Sequence, residues 1–356
     1  MNIFLFILYF LLCEAAIFLV WFFLRHKKIP LFAVILWVIG ELAVTILLSG
    51  ILMIYFPPIP VITQLLFALY AAVAVSMVAR LIFLPIRNKI PWRKKWLLFP
   101  LLSLTLGAGY LSFGIVHSQI VRPLSLTYTS EKLHHEYRIG FFSDLHVGEA
   151  KSASLSKQTI LEIQKLPLDF LFIGGDMFDE YTSKQEILET LKTFRGYSVP
   201  TYWVNGNHEP LSSFTEEEIS KALLDVGIHE VRDAFIPLAE DLVLLGREDL
   251  SVSSRKPESE IHNPSPDAFC VCLDHQPFAY HDNFSLGADL QLSGHTHAGQ
   301  IFPLRFLYSF AVPVYGDYAE EGKTLHVSSG AGNWAVPFRT EVGCEYEVIT
   351  LKPKSA

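Results

Sequence analysis

The sequence is poor in sulfur, with four cysteines and four methionines in 356 residues, and no two cysteines form a CxxC pair. Cys13 lies in an apolar run, and Cys270, Cys272 and Cys344 lie in strand-like segments. That spacing excludes a disulfide framework and a thiolate metal cluster, and leaves small buried apolar residues. It neither requires nor forbids an oxidising compartment. The chain also lacks internal repeats and low-complexity segments, so it is neither a repeat array nor a composition-biased tail. Acidic residues are almost missing from its first third. Residues 1–122 hold ten Lys and Arg against Glu14 and Glu41 alone, a net +8, and the remainder holds 18 basic against 34 acidic residues, a net −16. A domain that acidic argues against a nucleic-acid surface.

What fills the first third is apolar. Runs at about 3–24, 31–56, 61–84 and 96–118 are each long enough to cross a bilayer. The first has no basic start, is too long for a signal-peptide core, and ends in Arg25-His26-Lys27-Lys28 rather than at small residues, so it reads as a retained helix. The expected organisation is a four-helix transmembrane anchor over 1–122 followed by a soluble domain over 123–356. Pro57-Pro58-Ile59-Pro60 makes an uncharged link, whereas the links around Arg25–Lys28 and Arg87–Lys95 are basic. The positive-inside bias puts both basic links in the cytoplasm, and hence the soluble domain on the extracytoplasmic side of the cell membrane. Glu14 and Glu41 sit near the middle of their runs, where an ionisable group must face the bundle or a polar cavity. Two readings stay open for them: a polar lining for a lipid headgroup or ion, and a helix–helix contact.

Beyond residue 122 the pattern changes to short apolar runs alternating with amphipathic ones. Leu124–Thr129 alternates like a strand. Strands are predicted over Ile139–Phe142, Leu168–Ile173 and Val199–Val204, and helices over Ala153–Leu166, Ser183–Phe194 and Thr215–Val226. The last of these opens Thr-Glu-Glu-Glu, a favourable helix start. This βαβαβα order argues a layered α/β core. The chain then turns strand-rich. Glu230–Leu238 is predicted to pair with Leu242–Gly246, Ser251–Pro266 is a loop or flap, and strands follow over Ala268–Leu273, Ala288–Leu292, Thr324–Ser328 and Tyr346–Leu351.

Five of the strands end in polar fragments of one chemical type: Asp144-Leu145-His146, Gly175-Asp176-Met177-Phe178-Asp179, Gly206-Asn207-His208-Glu209, Asp274-His275 and Gly294-His295-Thr296-His297. Five of the 13 histidines fall in them, which scattered surface histidines would not do. Residues two apart at a strand end lie on one side, and strand carboxyl ends are where α/β layers bind ligands. Alone, an Asp-x-His turn is weak; the five together form one candidate site. Mixed carboxylate, amide and imidazole donors suit Mn²⁺, Fe or Zn²⁺ rather than Ca²⁺. Asp274, His281 and His326 lie near the fragments without matching them and read as structural. His134, His135, His229 and His262 read as exposed.

The ordered set resembles the calcineurin-like metallophosphoesterase superfamily over roughly 138–352, and the Gly299-Gln300 and Ser328-Ser329-Gly330-Ala331-Gly332-Asn333 that follow resemble its branch of membrane-attached bacterial phosphohydrolases. Some members of that branch cleave the pyrophosphate of UDP-2,3-diacylglucosamine, a substrate made in the cytoplasm, which conflicts with the charge bias above. The resemblance implies an αββα two-sheet sandwich and two divalent metal ions, with manganese favoured. Asp144, His146, Asp176 and His297 would hold one, and Asp176, Asn207, His275 and His295 the other. His208 would be the acid at the leaving oxygen, oriented by Asp179. Two such ions activate a bridging water to hydroxide and clamp phosphoryl oxygens.

After the last fragment come Phe302, Leu304, Phe306, Leu307, Tyr308, Phe310, Val312, Val314 and Tyr315. Such a run could embrace an acyl chain or rest on a bilayer, or equally be a covered loop. The reading as a whole is a membrane-anchored phosphohydrolase acting on a phosphoester or pyrophosphate bond of a lipid-linked substrate. Its rivals are a phosphodiesterase for a soluble nucleotide and a membrane sensor without catalysis.

Overall fold

The computed structural model describes residues 112–148, 153–334 and 337–354, together with 105, 109 and 110. The chain divides into two compact units, Met1–Phe113 and Gly114–Ala356. The apolar runs at 3–24, 31–56 and 61–84, most of the run at 96–118, Cys13, Glu14 and Glu41 lie outside the described residues. Among the described residues no helix is long and apolar enough to cross a membrane, so the expected transmembrane helices gain no support here. Residues 112–119 are helical and lead directly into the first strand.

The second unit is built on two six-stranded sheets. In the first, β1 (Val121–Ser130) lies at one edge beside β12 (Cys344–Pro353), followed by β2 (Tyr137–Phe142), β3 (Phe170–Ile173), β4 (Thr201–Trp203) and β5 (Ile228–Glu230). From β2 to β5 every pairing is parallel, while β12 runs antiparallel to β2 and parallel to β1. The second sheet runs β10 (Gly316–Glu320), β11 (Lys323–Val327), β9 (Leu290–Ser293), β8 (Phe269–Leu273), β7 (Leu242–Gly246) and β6 (Ala234–Pro237). Its four inner strands are parallel, and its two edge strands are antiparallel to their neighbours.

Inner strands of parallel sheets are covered on both faces, which is why they read as continuous apolar runs. The period of two decides which residue goes where. Ile139, Phe141, Phe172, Leu244, Val271, Leu273, Leu292 and Ile349 meet in the core between the sheets. Their neighbours Phe142, Leu171, Ile173 and Val348 turn outward beneath the helices α1 (Ala153–Gln164), α2 (Lys184–Leu191) and α3 (Glu216–Leu224). Beneath the outer face of the second sheet lie Val243, Leu245, Cys270, Cys272, Leu325 and Val327, with Phe284 of the short α4 (Tyr280–Ser285). The two-sheet core with helices outside is the expected sandwich, although its second helical layer is slight. All three described cysteines are buried and free.

The helices start where their side chains can cap them. Ser183 and Thr215 each accept from the backbone N–H three residues on, while Glu186 and Glu218 reach back to the cap. That reciprocal arrangement satisfies donors that would otherwise be orphaned. Ile187, Thr190 and Leu191 of α2, and Ile219, Ala222 and Leu223 of α3, are the buried positions, at the i, i+3, i+4 spacing of one helical face.

One sequence expectation needs correction. Glu230–Leu238 is not one strand: Glu230 ends β5 in the first sheet and Ala234 begins β6 in the second. The chain changes sheet at Val231–Asp233, where Asp233 adopts a left-handed backbone (φ 45°). Ser251–Pro266 is a loop, as expected, and it is fastened to the domain. Arg255 clasps Asp274 with both terminal nitrogens (3.1 and 2.7 Å), and the Lys256 backbone donates to Asp233 (2.7 Å). The exposed histidines His134, His135, His229 and His262 are as expected, and so are buried Asp274 and His326.

His326 lies on β11 between Asp317 (Nδ1 to Oδ1, 2.6 Å) and Glu347 (Nε2 to Oε1, 3.5 Å). Burial opposes its charge, but Asp317 and then Glu347 outweigh burial and push its pKa up to about 9. Glu347 is raised by its own complete burial, which weakens the pair on the acid side. A histidine raised in the folded state stabilises fully below its unfolded pKa of about 6.5 and loses that contribution as pH rises through the folded value. Melting of the detergent-solubilised chain should therefore show wild type losing on the order of 3 kcal/mol relative to His326→Gln between about pH 6.5 and 9. Parallel pH profiles for the two proteins would contradict this.

Candidate metal centre

The five polar fragments leave the carboxyl ends of β2, β3 and β4 in one sheet and of β8 and β9 in the other. They meet where the two sheets present those ends together. Backbone bonds hold the turns in register beyond the strands: Asp144 N to Gly175 O at 2.9 Å, His146 N to Asp176 O at 3.1 Å, and Gly294 N to His275 O at 2.9 Å. Asp144, His146, Asp176, His295 and His297 all adopt positive φ, between 44° and 70°. A non-glycine residue in that region costs about 1–3 kcal/mol, a strain that clusters at functional sites. Close approach explains two glycines. A Cβ on Gly206 would sit 2.2 Å from Asp176 Oδ1, and one on Gly294 would sit 2.0 Å from Asp144 Oδ2.

The side chains gather in two groups, Asp144–His146–His297 and Asp176–His275–His295, each with its ligand atoms within 4.8 Å of one another. One atom faces both. Asp176 Oδ2 is 3.8 Å from His146 Nε2 and 3.0 Å from His275 Nε2. Asn207 joins the second group, its Oδ1 being 2.8 Å from His295 Nδ1. His275 donates from Nδ1 to Gly174 O (2.8 Å), which turns Nε2 toward Asp176. All seven expected metal ligands, Asp144, His146, Asp176, Asn207, His275, His295 and His297, are thus brought together.

A divalent cation fits this donor set. Both ring nitrogens of His146 and Nε2 of His275 are buried with no aligned hydrogen-bond partner, despite the carboxylate 3.0 Å from the latter. Such orphaned buried groups are rare unless something else satisfies them. The electrostatics alternate in sign. Burial opposes charge on His275 and His146, but Asp176 outweighs it for the first and Asp179, with Asp176 and Asp144, for the second, so both are raised. Burial would raise Asp176, yet His275 and His146 hold it far below the usual carboxylate range. Burial and neighbouring His275 push His295 down to about 4. Burial, His146 and Arg339 hold His297 well below its ordinary value.

His208 stands beside the first group, its ring 5.1 Å from that of His146. Its partner is not Asp179, as expected, but Glu180, whose Oε2 is 2.9 Å from Nδ1. Asp179 turns inward instead: Oδ1 accepts from Tyr181 N and Thr182 Oγ1, and Oδ2 lies 3.4 Å from His146 Nδ1. A residue missed by sequence reasoning is Glu209. Fully enclosed, it accepts backbone N–H groups from Gly206 (2.7 Å), Asp176 (2.9 Å), Met177 (2.8 Å) and Phe178 (3.2 Å). Burial and Asp176 push its carboxyl up to about 7. Its sequence signal is its place in Gly206-Asn207-His208-Glu209; nothing there tells a metal ligand from a brace.

The partners assign different effects to the adjacent acids. Asp179→Asn should lower bound metal per chain, because it loosens His146. Glu180→Gln should leave metal content unchanged, since the contact that Glu180 makes at the site is with His208 and not with a candidate ligand. Metal analysis after desalting distinguishes them, and equal loss in both variants would overturn the assignment.

Residues 137–299 match the calcineurin-like phosphoesterase family. An uncharacterized metallophosphoesterase of Helicobacter pylori is 32% identical over 245 residues, covering 63% of this chain and 62% of the relative. The uncharacterized metallophosphoesterase YkuE of Bacillus subtilis is 27% identical, over 70% of this chain and 92% of its own length. A transmembrane protein with metallophosphoesterase domain from Danio rerio is 27% identical, over 70% of this chain and 62% of the relative. The chain thus spans about three-fifths of the Helicobacter relative, 62% of its length. Residues 137–299, the stretch that carries both candidate metal groups, thus match the calcineurin-like phosphoesterases, a family of metal-dependent phosphoester hydrolases.

Proposed function

We propose that the chain is a membrane-anchored phosphohydrolase with a dinuclear divalent metal centre. The observation that carries this reading is Asp176 Oδ2, which faces one histidine from each ligand group. A carboxylate shared in this way would serve as a ligand to both cations. Asp144, His146, Asp176 and His297 would hold the first, and Asp176, Asn207, His275 and His295 the second. Nitrogen and oxygen donors without thiolate favour manganese, with iron or zinc as substitutes. When bound, two such ions supply charge to the phosphoryl oxygens and activate water as the nucleophile.

The chain supplies the rest. His208, at the rim beside His146, gives a proton to the departing oxygen. Glu180 accepts from its Nδ1 and fixes the ring's orientation. Glu209 keeps the turns bearing Asp176 and Asn207 at a constant spacing through its four backbone bonds.

A lipid-linked phosphoester or pyrophosphate is the favoured substrate. The apolar segment after His297 is not a covered loop: Phe302, Phe306, Leu307, Tyr308 and Phe310 are between 48% and 75% exposed. A contiguous exposed aromatic surface beside a phosphohydrolase site suits acyl chains or a bilayer surface. The first 118 residues are apolar enough to anchor the domain, and relatives named as transmembrane proteins support that anchor. The charge bias favours an extracytoplasmic domain, and a reporter fused at the carboxyl terminus that is active only in the cytoplasm would overturn it.

The function is tested with a chromogenic nitrophenyl phosphodiester and added Mn²⁺. Wild type should turn it over. Asp176→Asn should lose both turnover and metal, while His208→Ala should keep its metal and slow about 10²–10⁴-fold. A metal-loaded but inert wild type would favour the sensor. For the substrate class, the double variant Phe306→Asp with Phe310→Asp should lose activity on a lipid phosphoester in vesicles and retain it on the soluble diester. Equal loss on both would remove the lipid reading and favour a soluble nucleotide.

A further inference from the structure

Arg339 lies outside every polar fragment and beyond the 137–299 match, yet its side chain is fully buried against the metal centre. Its Nη2 donates toward His297 Nδ1 (3.1 Å) and to the carbonyls of Ser329 and Gly332, both at 2.7 Å. Its Nη1 reaches the carbonyls of His297 (3.3 Å), Val342 (3.2 Å) and Gly343 (3.4 Å). Its Nε donates to Asn333 Oδ1 at 3.0 Å. No carboxylate pairs with it among the described residues, so a buried cation is kept here by carbonyl, amide and imidazole acceptors alone. Burying charge in that way is costly, and the return is geometric: one rigid planar fork spans three chain segments.

The segment most in need of an outside hold is the one bearing His295 and His297. His295, His297, Ala298 and Gln300 all adopt positive φ, from 49° to 70°. Arg339 grips His297 at both its ring and its carbonyl. A metal-binding imidazole is oriented by whatever its other nitrogen meets. Here a guanidinium donor meets Nδ1 and leaves Nε2 facing Asp144 Oδ1 at 3.5 Å. The same hub continues away from the site. Asn333 Nδ2 donates to Ser118 O at 3.0 Å, and the Arg339 backbone N–H donates to Gly114 O at 3.0 Å. The helical segment that leads into β1 is thereby fastened to the group that aims His297.

We propose that Arg339 is the positioning residue of the Asp144–His146–His297 subsite, and that through Asn333 it makes that subsite depend on the seating of residues 114–118. The inference rests on the two-metal reading above. It concerns one subsite only, which separates it from a general effect on folding.

Calorimetric titration of the metal-free, detergent-solubilised full chain with Mn²⁺ tests it, alongside the spin-coupled resonance signal of a manganese pair. Wild type should take up two equivalents. Arg339→Lys, which keeps the charge and loses the fork, should weaken one equivalent about 10–100-fold and leave the other unchanged, with loss of the coupled signal. Asn333→Ala leaves Arg339 in place and should weaken the same equivalent by a smaller factor, which covers the case of an unfolded lysine variant. Two equivalents of wild-type affinity in Asn333→Ala and Arg339→Lys, or equal weakening of both equivalents, would overturn the proposal. A wild type that binds a single equivalent would overturn the two-metal reading and this inference with it.

Discussion

One carboxylate oxygen has to be in two places' service at once. Asp176 Oδ2 faces His146, from the sheet it shares, and His275, from the other sheet. Much of the fold can be understood as what that requires. Two sheets must present the carboxyl ends of parallel strands to a common point, and their turns must approach closer than side chains on Gly206 or Gly294 would allow. The turns must also hold strained backbone at five of the seven ligand positions. The apolar core between the sheets supplies the rigid frame on which such strain persists.

Charge is balanced locally rather than across the domain. Buried Asp144, Asp176 and Asp179 would be very costly alone, and each is answered by an imidazole or by backbone donors. Glu209 extends the same logic to structure. Four N–H groups that could not pair within a strand all end on its carboxylate. It joins the turn after β3 to the turn after β4, and so sets the separation of Asp176 from Asn207. His208 donates its backbone N–H to Asp176, but its ring lies partly open to solvent against Glu180, itself 38% exposed at its side chain. That difference in enclosure sets the His208 ring apart from the buried candidate ligands.

The layered core and the fragments that form the site were legible because both depend on short-range pattern. Apolar runs ending in Asp, Asn and His mark buried strands that deliver ligands, and Ser183 and Thr215 mark helix starts. What was not legible depends on long-range geometry. Nothing local shows that β5 and β6, three residues apart, lie in different sheets. Nor does spacing tell which of Asp179 and Glu180 faces His208; a tight turn closed by Thr182 rotates the first inward. The exposure of Phe306 and Phe310 was undecidable because the same residues would suit a core. Arg339 carried no signal at all, since a lone arginine in a C-terminal loop has nothing around it in sequence to suggest a metal centre more than 40 residues upstream, at His297.

The family match ends at residue 299, and two of these features, the exposed aromatics and Arg339, lie after it. The exposed aromatics of 302–310 form a surface beside the site. Gln300 holds the backbone of Trp334 through both ends of its amide. Arg339 and Asn333 tie His297 to the segment entering from the apolar third of the chain. Strands β2, β3, β4, β8 and β9 deliver the candidate ligands, and the 300–345 region packs against them at His297. A change of substrate class within such a scaffold therefore needs no change in the metal ligands. It needs only a different covering segment, provided that segment still keeps His297 in its left-handed turn.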